Sequence, residues 1–191
     1  MKLIGLSGSN GSGKDTIGHL LRDQFGWCFA GATEMLVAEL EKRGLPTDRK
    51  HKANLSAEWR RQYGPAVIVD RGVEQFQASG RGGLIVGSLR HPSEADRVHE
   101  LGGVMLWVDA DSRVRYERIT TNDRGRVEDK ISYEQFVADE QREMYPEGDS
   151  ATLHTAAVKE RADLFIANNG NDIDAFKDHV REVLTAAQLL Q

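Results

Sequence analysis

Apolar positions in this chain follow two patterns. The first is the short, nearly unbroken run: Leu3-Ile4 with Leu6, Trp27 to Ala30, Leu84-Ile85-Val86, Val104-Met105-Leu106-Trp107-Val108, and Leu164-Phe165-Ile166-Ala167. Such runs predict strands buried on both faces, as in a parallel sheet. The second is helical spacing, seen for Ile17, Leu20, Leu21 and Phe25, and again for Ile173, Phe176, Val180, Val183 and Leu184. Between these lie further predicted helices. One is capped by Thr33, carries Met35, Leu36, Val37 and Leu40, and ends at Gly44. One is capped by Ser56 and holds Trp59, Arg60, Arg61 and Tyr63, and another runs from Pro65 to about Ser79. Ser93 with Asp96, and Ser132 with Gln135, fit capping boxes, while Asp111 caps a helix through Val114 and Ile119. Thr47 to Leu55 is polar and basic and reads as a loop. Thr120 to Ile131 is charged without an apolar period and reads as a loop or lid.

Strands alternating with helices predict an α/β fold with a mainly parallel sheet. No repeat or interdomain linker interrupts the chain, so residues 1–191 are expected to form one domain. Ligands of such sheets bind beyond the carboxyl ends of the strands. That places Gly8–Lys14, Ser88–His91, Asp109–Asp111 and Asn168–Gly170 along one edge.

The first of these segments carries the strongest chemical signal. Gly8-Ser9-Asn10-Gly11-Ser12-Gly13-Lys14 lies between the first strand and the first helix, which is the context a phosphate-binding P-loop requires. Glycines let the loop bend so that backbone N–H groups converge on phosphate oxygens, and the helix N-terminus adds its dipole. Lys14 would reach the β- and γ-phosphates of a bound triphosphate. The usual Ser or Thr after the lysine is replaced by Asp15, with Thr16 following. Asp15 and Thr16 are the candidate magnesium ligands, Thr16 alternatively bonding the α- or β-phosphate. The competing role of Asp15 is to favour the helix N-terminus by its charge alone.

Arginines supply the remaining candidates. Arg90 follows a buried strand and should face the P-loop, its planar fork suiting phosphate or carboxylate, or else pairing with Glu94. Arg60 and Arg61 could hold an acceptor phosphate or simply occupy an exposed helix face. Arg115 and Arg118 share one helix face, and Arg124 and Arg126 fall in the charged segment, where a lid would bring positive charge onto a transferring phosphoryl group. The net charge of −5 argues against a general nucleic-acid binder. Cys28 is the sole cysteine, which excludes an intrachain disulfide and a cysteine zinc site. No apolar run reaches membrane-spanning length, and a reducing cytoplasm fits the composition.

Taken together, these segments resemble the nucleoside monophosphate kinase branch of P-loop kinases, including phage-type deoxynucleoside monophosphate kinases and dephospho-coenzyme A kinases. The resemblance rests on Gly8 to Thr16, on Val86-Gly87-Ser88-Leu89-Arg90 through Glu94, on Arg115 to Arg118 with Arg124-Gly125-Arg126, and on Ala162 to Gly170. It implies a three-layer sandwich around a five-stranded parallel sheet ordered 2-3-1-4-5. It also implies ATP and magnesium, a lid near 120–131 and an acceptor region near 33–79. The catalytic set it implies is Lys14, Arg90, Arg118, Arg124 and Arg126. Gly8, Asn10, Gly11, Ser12, Gly13, Lys14, Asp15 and Thr16 would bind the nucleotide, with Asn168 and Gly170 near its base. Arg60, Arg61 and Arg90 would bind the acceptor.

The expected reaction moves the γ-phosphate of ATP to a nucleoside monophosphate, deoxynucleotides in particular, by a monomer or homodimer. The alternatives are a kinase resembling dephospho-coenzyme A kinase and a catalytically weak ATP-binding regulatory module. Many relatives carry an aspartate where Gly87 or Ser88 stands here, and Asp15 is the candidate replacement for that carboxylate.

Overall fold

The computed structural model describes residues 1–121, 131–145 and 152–190. Its centre is a parallel sheet of five strands: β1 (Lys2–Gly8), β2 (Cys28–Gly31), β3 (Gly83–Gly87), β4 (Val104–Asp109) and β5 (Leu164–Ala167), ordered β2-β3-β1-β4-β5. Ile4 pairs with Ile85 on one side and Val104 on the other, which makes β1 the middle strand.

Because side chains alternate across a strand, each apolar run feeds both faces. Leu3, Leu84, Val86 and Met105 point to one face. There they pack with α2 (Ala32–Lys42), α3 (Arg49–Tyr63), α4 (Val67–Ser79), α5 (Pro92–Glu100) and α8 (Thr155–Lys159). Ile4, Leu6, Ile85, Leu106 and Val108 point to the other, against α1 (Lys14–Phe25) and α9 (Ile173–Ala186). Helices α6 (Ser112–Thr121) and α7 (Tyr133–Met144) stand beyond the carboxyl end of β4. They meet through a cluster of Tyr116, Tyr133 and Phe136. No described helix is long and apolar enough to cross a membrane.

Four expectations about local structure are corrected. The basic stretch after Thr47 is helical from Arg49. Asp48 is its cap: its carboxylate accepts the His51 backbone N–H at 3.0 Å and meets the His51 ring at 2.6 Å. Ser56 is therefore inside α3, where its hydroxyl accepts from Arg60 rather than capping a helix start. Helix α2 begins at Ala32, with Gly31 rather than Thr33 at the cap. The capping box of α5 is built from His91 and Glu94, not Ser93 and Asp96. The Ser132 cap holds, its hydroxyl accepting from the Gln135 N–H at 3.2 Å. Arg124 and Arg126 lie outside the described residues, as does most of the segment read as a lid.

Replacing Asp48 with Ala is expected to cost about 1 kcal/mol, the usual worth of a side-chain cap. Amide exchange at His51 and Lys52 should speed up in step. Unchanged stability and unchanged exchange at those amides would mean that the cap does not hold α3.

Candidate nucleotide and acceptor site

The phosphate loop is formed by what surrounds it. β1 ends at Gly8, whose φ is 152°, and a Cβ there would lie 2.2 Å from the carbonyl oxygen of Val108 on the neighbouring strand. Only glycine fits. Gly13 has φ 88° at the N-cap of α1, and a Cβ there would sit 2.6 Å from Asn168 Nδ2. Loop carbonyls are claimed from outside. Asn168 Nδ2 donates to Ser12 O at 2.8 Å, Arg115 Nη1 to Asn10 O at 3.3 Å, and Arg118 Nη1 to Gly11 O at 3.5 Å. In a trans peptide the N–H points away from the C=O. The Ser12 N–H is held by Ser9 O at 3.2 Å, so the Gly11 and Gly13 amides, which follow two of these fixed carbonyls, are the loop donors that suit a phosphate. The buried Ser12 hydroxyl has no hydrogen-bond partner among the described residues. Loop amides and an orphaned hydroxyl at a helix N-terminus fit a polyphosphate.

A cavity of about 750 Å³ opens on this loop, lined by Lys14, Asp15, Thr16, Arg118, Asn168 and Gly170 among others. Its size suits a nucleotide. Lys14 is buried at the head of α1. Asp15 is exposed in the first turn of α1, and the cap residue is Gly13, so Asp15 favours the helix start through its charge. Glu34, on α2, lines the same cavity. Among the described residues no cluster of three or more acidic, histidine or cysteine side chains could hold a metal alone. Magnesium on a nucleotide needs only one or two carboxylates, because phosphates and water fill its other positions. Asp15, Glu34 and the Thr16 hydroxyl fit that requirement.

Two charged groups brace the loop from the β4 side. Arg115 is buried. It donates to Ala110 O at 2.8 Å and forms a bidentate pair with Glu140 of α7. Asp109 lies 3.6 Å from the Arg115 Nε and bonds the Ser9 hydroxyl of the loop. Burial pushes its carboxyl up, but bonds from the Ser9 hydroxyl, the Ala110 N–H and the Trp107 indole, with the Arg115 charge, outweigh this and hold it below the ordinary range. Burial lowers the Arg118 guanidinium below its usual value.

A second cavity, of about 360 Å³, adjoins the first. Thr33, Ser88 and Arg90 are among the residues that line both. Ser88 adopts φ 63°, a left-handed conformation that costs a non-glycine residue about 1 kcal/mol or more. The loop that imposes it is pinned at several points. Leu89 N–H bonds Leu6 O at 3.1 Å, the Ser7 hydroxyl bonds Leu89 O at 2.6 Å, and His154 N–H bonds Arg90 O at 2.9 Å. Glu94 accepts the Arg90 and His91 backbone N–H groups at 2.8 and 3.0 Å. Its other oxygen accepts Arg60 Nη2 at 2.8 Å, in a pair almost wholly buried.

The arginines thus sort differently from their order in the sequence. Arg60 lines the second cavity with a buried, unpartnered Nε, and the Thr155 hydroxyl there is likewise unpartnered among the described residues. Arg61 is exposed and is not among the lining residues of either cavity. Glu94 pairs with Arg60 through its side chain and with Arg90 only through the backbone. The Arg90 guanidinium instead reaches Glu143 of α7 at 2.8 Å. Arg49, Lys52 and Glu143 line the cavity without having been singled out from the sequence. Arg49, Lys52, Ser56 and Arg60 lie on one face of α3, a spacing that becomes visible once that stretch is read as helix.

No family model matches the chain. A UPF0200 protein of Pyrobaculum aerophilum is 24% identical over 186 residues, covering 96% of this chain and 97% of its own. Shikimate kinase from Acinetobacter baumannii superposes with a TM-score of 0.58 at 16% identity, over 98% of this chain and 95% of that one. TT1252 from Thermus thermophilus gives 0.59 at 23% identity, over 99% and 98%. Strand order, phosphate loop and these neighbours identify the fold as that of the P-loop NTPases.

Glu94→Ala would strand the Arg60 charge and two backbone N–H groups in the interior. It is expected to destabilise the protein by about 3–5 kcal/mol, read from urea unfolding. A loss below about 1 kcal/mol would mean that the pair is far better solvated than its burial indicates.

Proposed function

We propose that the protein is an ATP-dependent phosphotransferase acting on a small phosphomonoester, specifically a nucleoside monophosphate and by preference a deoxynucleotide. The observation that carries this reading is the meeting of two cavities at Thr33, Ser88 and Arg90, one built on a phosphate loop and the other lined by Arg49, Lys52, Arg60 and Arg90 together with carboxylates that hold them. A triphosphate seated on the loop would present its terminal phosphate to that junction. An acceptor oxygen arriving from the second cavity could then attack in line.

Each residue has a role in this proposal. Loop amides and Lys14 bind the β- and γ-phosphates. ATP would bring magnesium, which neutralises phosphate charge; Asp15, with Thr16 or Glu34, would hold it. Asp15 and Glu34 supply the acid that Gly87 and Ser88 lack. Arg118, beside the loop, and Arg124 and Arg126, on the proposed lid, would stabilise charge as it develops. Asn168 and Gly170, which line the donor cavity, would lie near the nucleotide's base. Arg60 and Arg90 serve the acceptor. The shikimate kinase neighbours share the fold, and the choice of a phosphomonoester rests on the Arg49, Lys52, Arg60 and Arg90 lining of the second cavity.

The test is an acceptor panel with ATP and magnesium, read by product mass. Nucleoside monophosphates should be phosphorylated faster than the matching nucleosides. Lys14→Ala should lower kcat/KM about a hundredfold or more while leaving the melting temperature near that of the wild type. Faster turnover of neutral nucleosides would overturn the acceptor assignment. ATP binding without transfer to any acceptor would favour the regulatory reading. Unimpaired turnover in the Lys14 variant would remove the phosphate loop from the mechanism.

A further inference from the structure

Helix α7 turns an acidic face into the second cavity. Phe136, Asp139, Glu140, Glu143 and Met144 line it at positions i, i+3, i+4, i+7 and i+8. Asp139 pairs with Arg142 of the same helix, and Glu140 with Arg115. Glu143 differs. It forms ion pairs with Arg90, from the loop after β3, and with Arg49, at the start of α3. One carboxylate therefore sits between two guanidiniums delivered by separate elements. Lys52, one turn along α3, lines the same space.

Two guanidinium forks converging on one pair of oxygens are the arrangement that binds a phosphate. Among the described lining residues, the cations Arg49, Lys52, Arg60 and Arg90 face the carboxylates Glu94, Asp139, Glu140 and Glu143. With the charges balanced, an anionic ligand gains little unless one carboxylate leaves. Glu94 is fixed by its burial and three hydrogen bonds. Glu140 is fixed by the bidentate pair with buried Arg115. Asp139 pairs with Arg142, which does not line the cavity. Glu143 is the one whose departure frees lining cations, because its partners Arg90 and Arg49 both line the cavity and are 28% and 48% exposed, against 6% for Arg115. Ion pairs of that exposure are weak and exchange readily.

We propose that Arg49 and Arg90 form an oxyanion subsite for the phosphate of a phosphomonoester, and that Glu143 holds this subsite shut by occupying it until the ligand arrives. The identification of that ligand as the acceptor rests on the kinase reading above; the subsite and its carboxylate occupant do not. A phosphate monoester brings close to two negative charges and three acceptor oxygens where the carboxylate brings one charge and two oxygens. The exchange therefore favours the ligand. Glu140 keeps α7 anchored near Asn10 through Arg115, so the release of Glu143 needs only a side-chain swing near the end of the helix. Arg90 lines both cavities, and its pairing with Glu143 offsets part of its charge until the phosphomonoester displaces the carboxylate.

The experiment is a titration of inorganic phosphate at fixed ionic strength, followed by NMR or calorimetry, in wild type, Glu143→Gln and Glu143→Gln/Arg49→Gln. Phosphate should bind Glu143→Gln roughly three- to tenfold more tightly than wild type, and adding Arg49→Gln should abolish the gain. The phosphate loop is the same in all three, so binding there cancels from the comparison. Glu143→Ala serves as a second variant should the glutamine form melt early. Unchanged or weaker phosphate binding in both Glu143 variants would overturn the proposal and leave Glu143 a packing contact. A parallel acetate titration that tightens as much as phosphate would overturn the phosphomonoester assignment. A protein that fails to turn over ATP would sink the kinase reading without altering any of these titrations.

Discussion

The constraint on which the site depends is the close approach of Gly8 to the backbone carbonyl of Val108, where a Cβ would lie 2.2 Å from the oxygen. β1 is the middle strand, held in register by β3 and β4. Where it ends, the chain must turn across the face of β4 with no room for a Cβ. That turn launches the phosphate loop, and the loop launches α1. Both faces of the sheet are occupied by apolar side chains, so polar chemistry is confined to the carboxyl edge of the strands. The site lies there because the strands end at that edge and the loops that follow them carry its polar groups.

Glu94 plays the corresponding part on the acceptor side. One buried carboxylate fixes the backbone of Arg90 and His91 and the guanidinium of Arg60 at once. Removing a partner from such a group is costly, whereas the group itself adds little net stability. Its worth is positional: it holds a strained Ser88 and aims Arg90 between the two cavities. The acids of α7 complete the arrangement, Glu140 tied to the buried Arg115 and Glu143 to the more exposed Arg90 and Arg49.

Much of this was legible in the sequence where the signal is local. The glycine pattern from Gly8 to Lys14 lies within a few residues of the strand and helix that confirm it. The five strands follow from apolar runs that need no partner to be recognised. The α3 start was missed because nearly all of its first two turns face solvent or the cavity, so no apolar period marks it. Asp48, the real signal, was hidden in a run of basic residues. The partners of the arginines were out of reach for a different reason. Arg90 and Glu143 are far apart in the chain, and nothing in either neighbourhood names the other. Glu94 was recognised as a partner of Arg90, but its second partner, Arg60, comes from another helix.

The central claim is that a triphosphate on the loop and a phosphomonoester among the arginines share one junction. The most direct measurement is a structure with a bisubstrate analogue, an ATP joined through its terminal phosphate to a nucleoside monophosphate. The polyphosphate should run from the Gly8–Thr16 loop past Ser88 to Arg90, with the Glu143 carboxylate displaced. An analogue whose second nucleoside lay outside the cavity lined by Arg49, Arg60 and Arg90 would contradict the account.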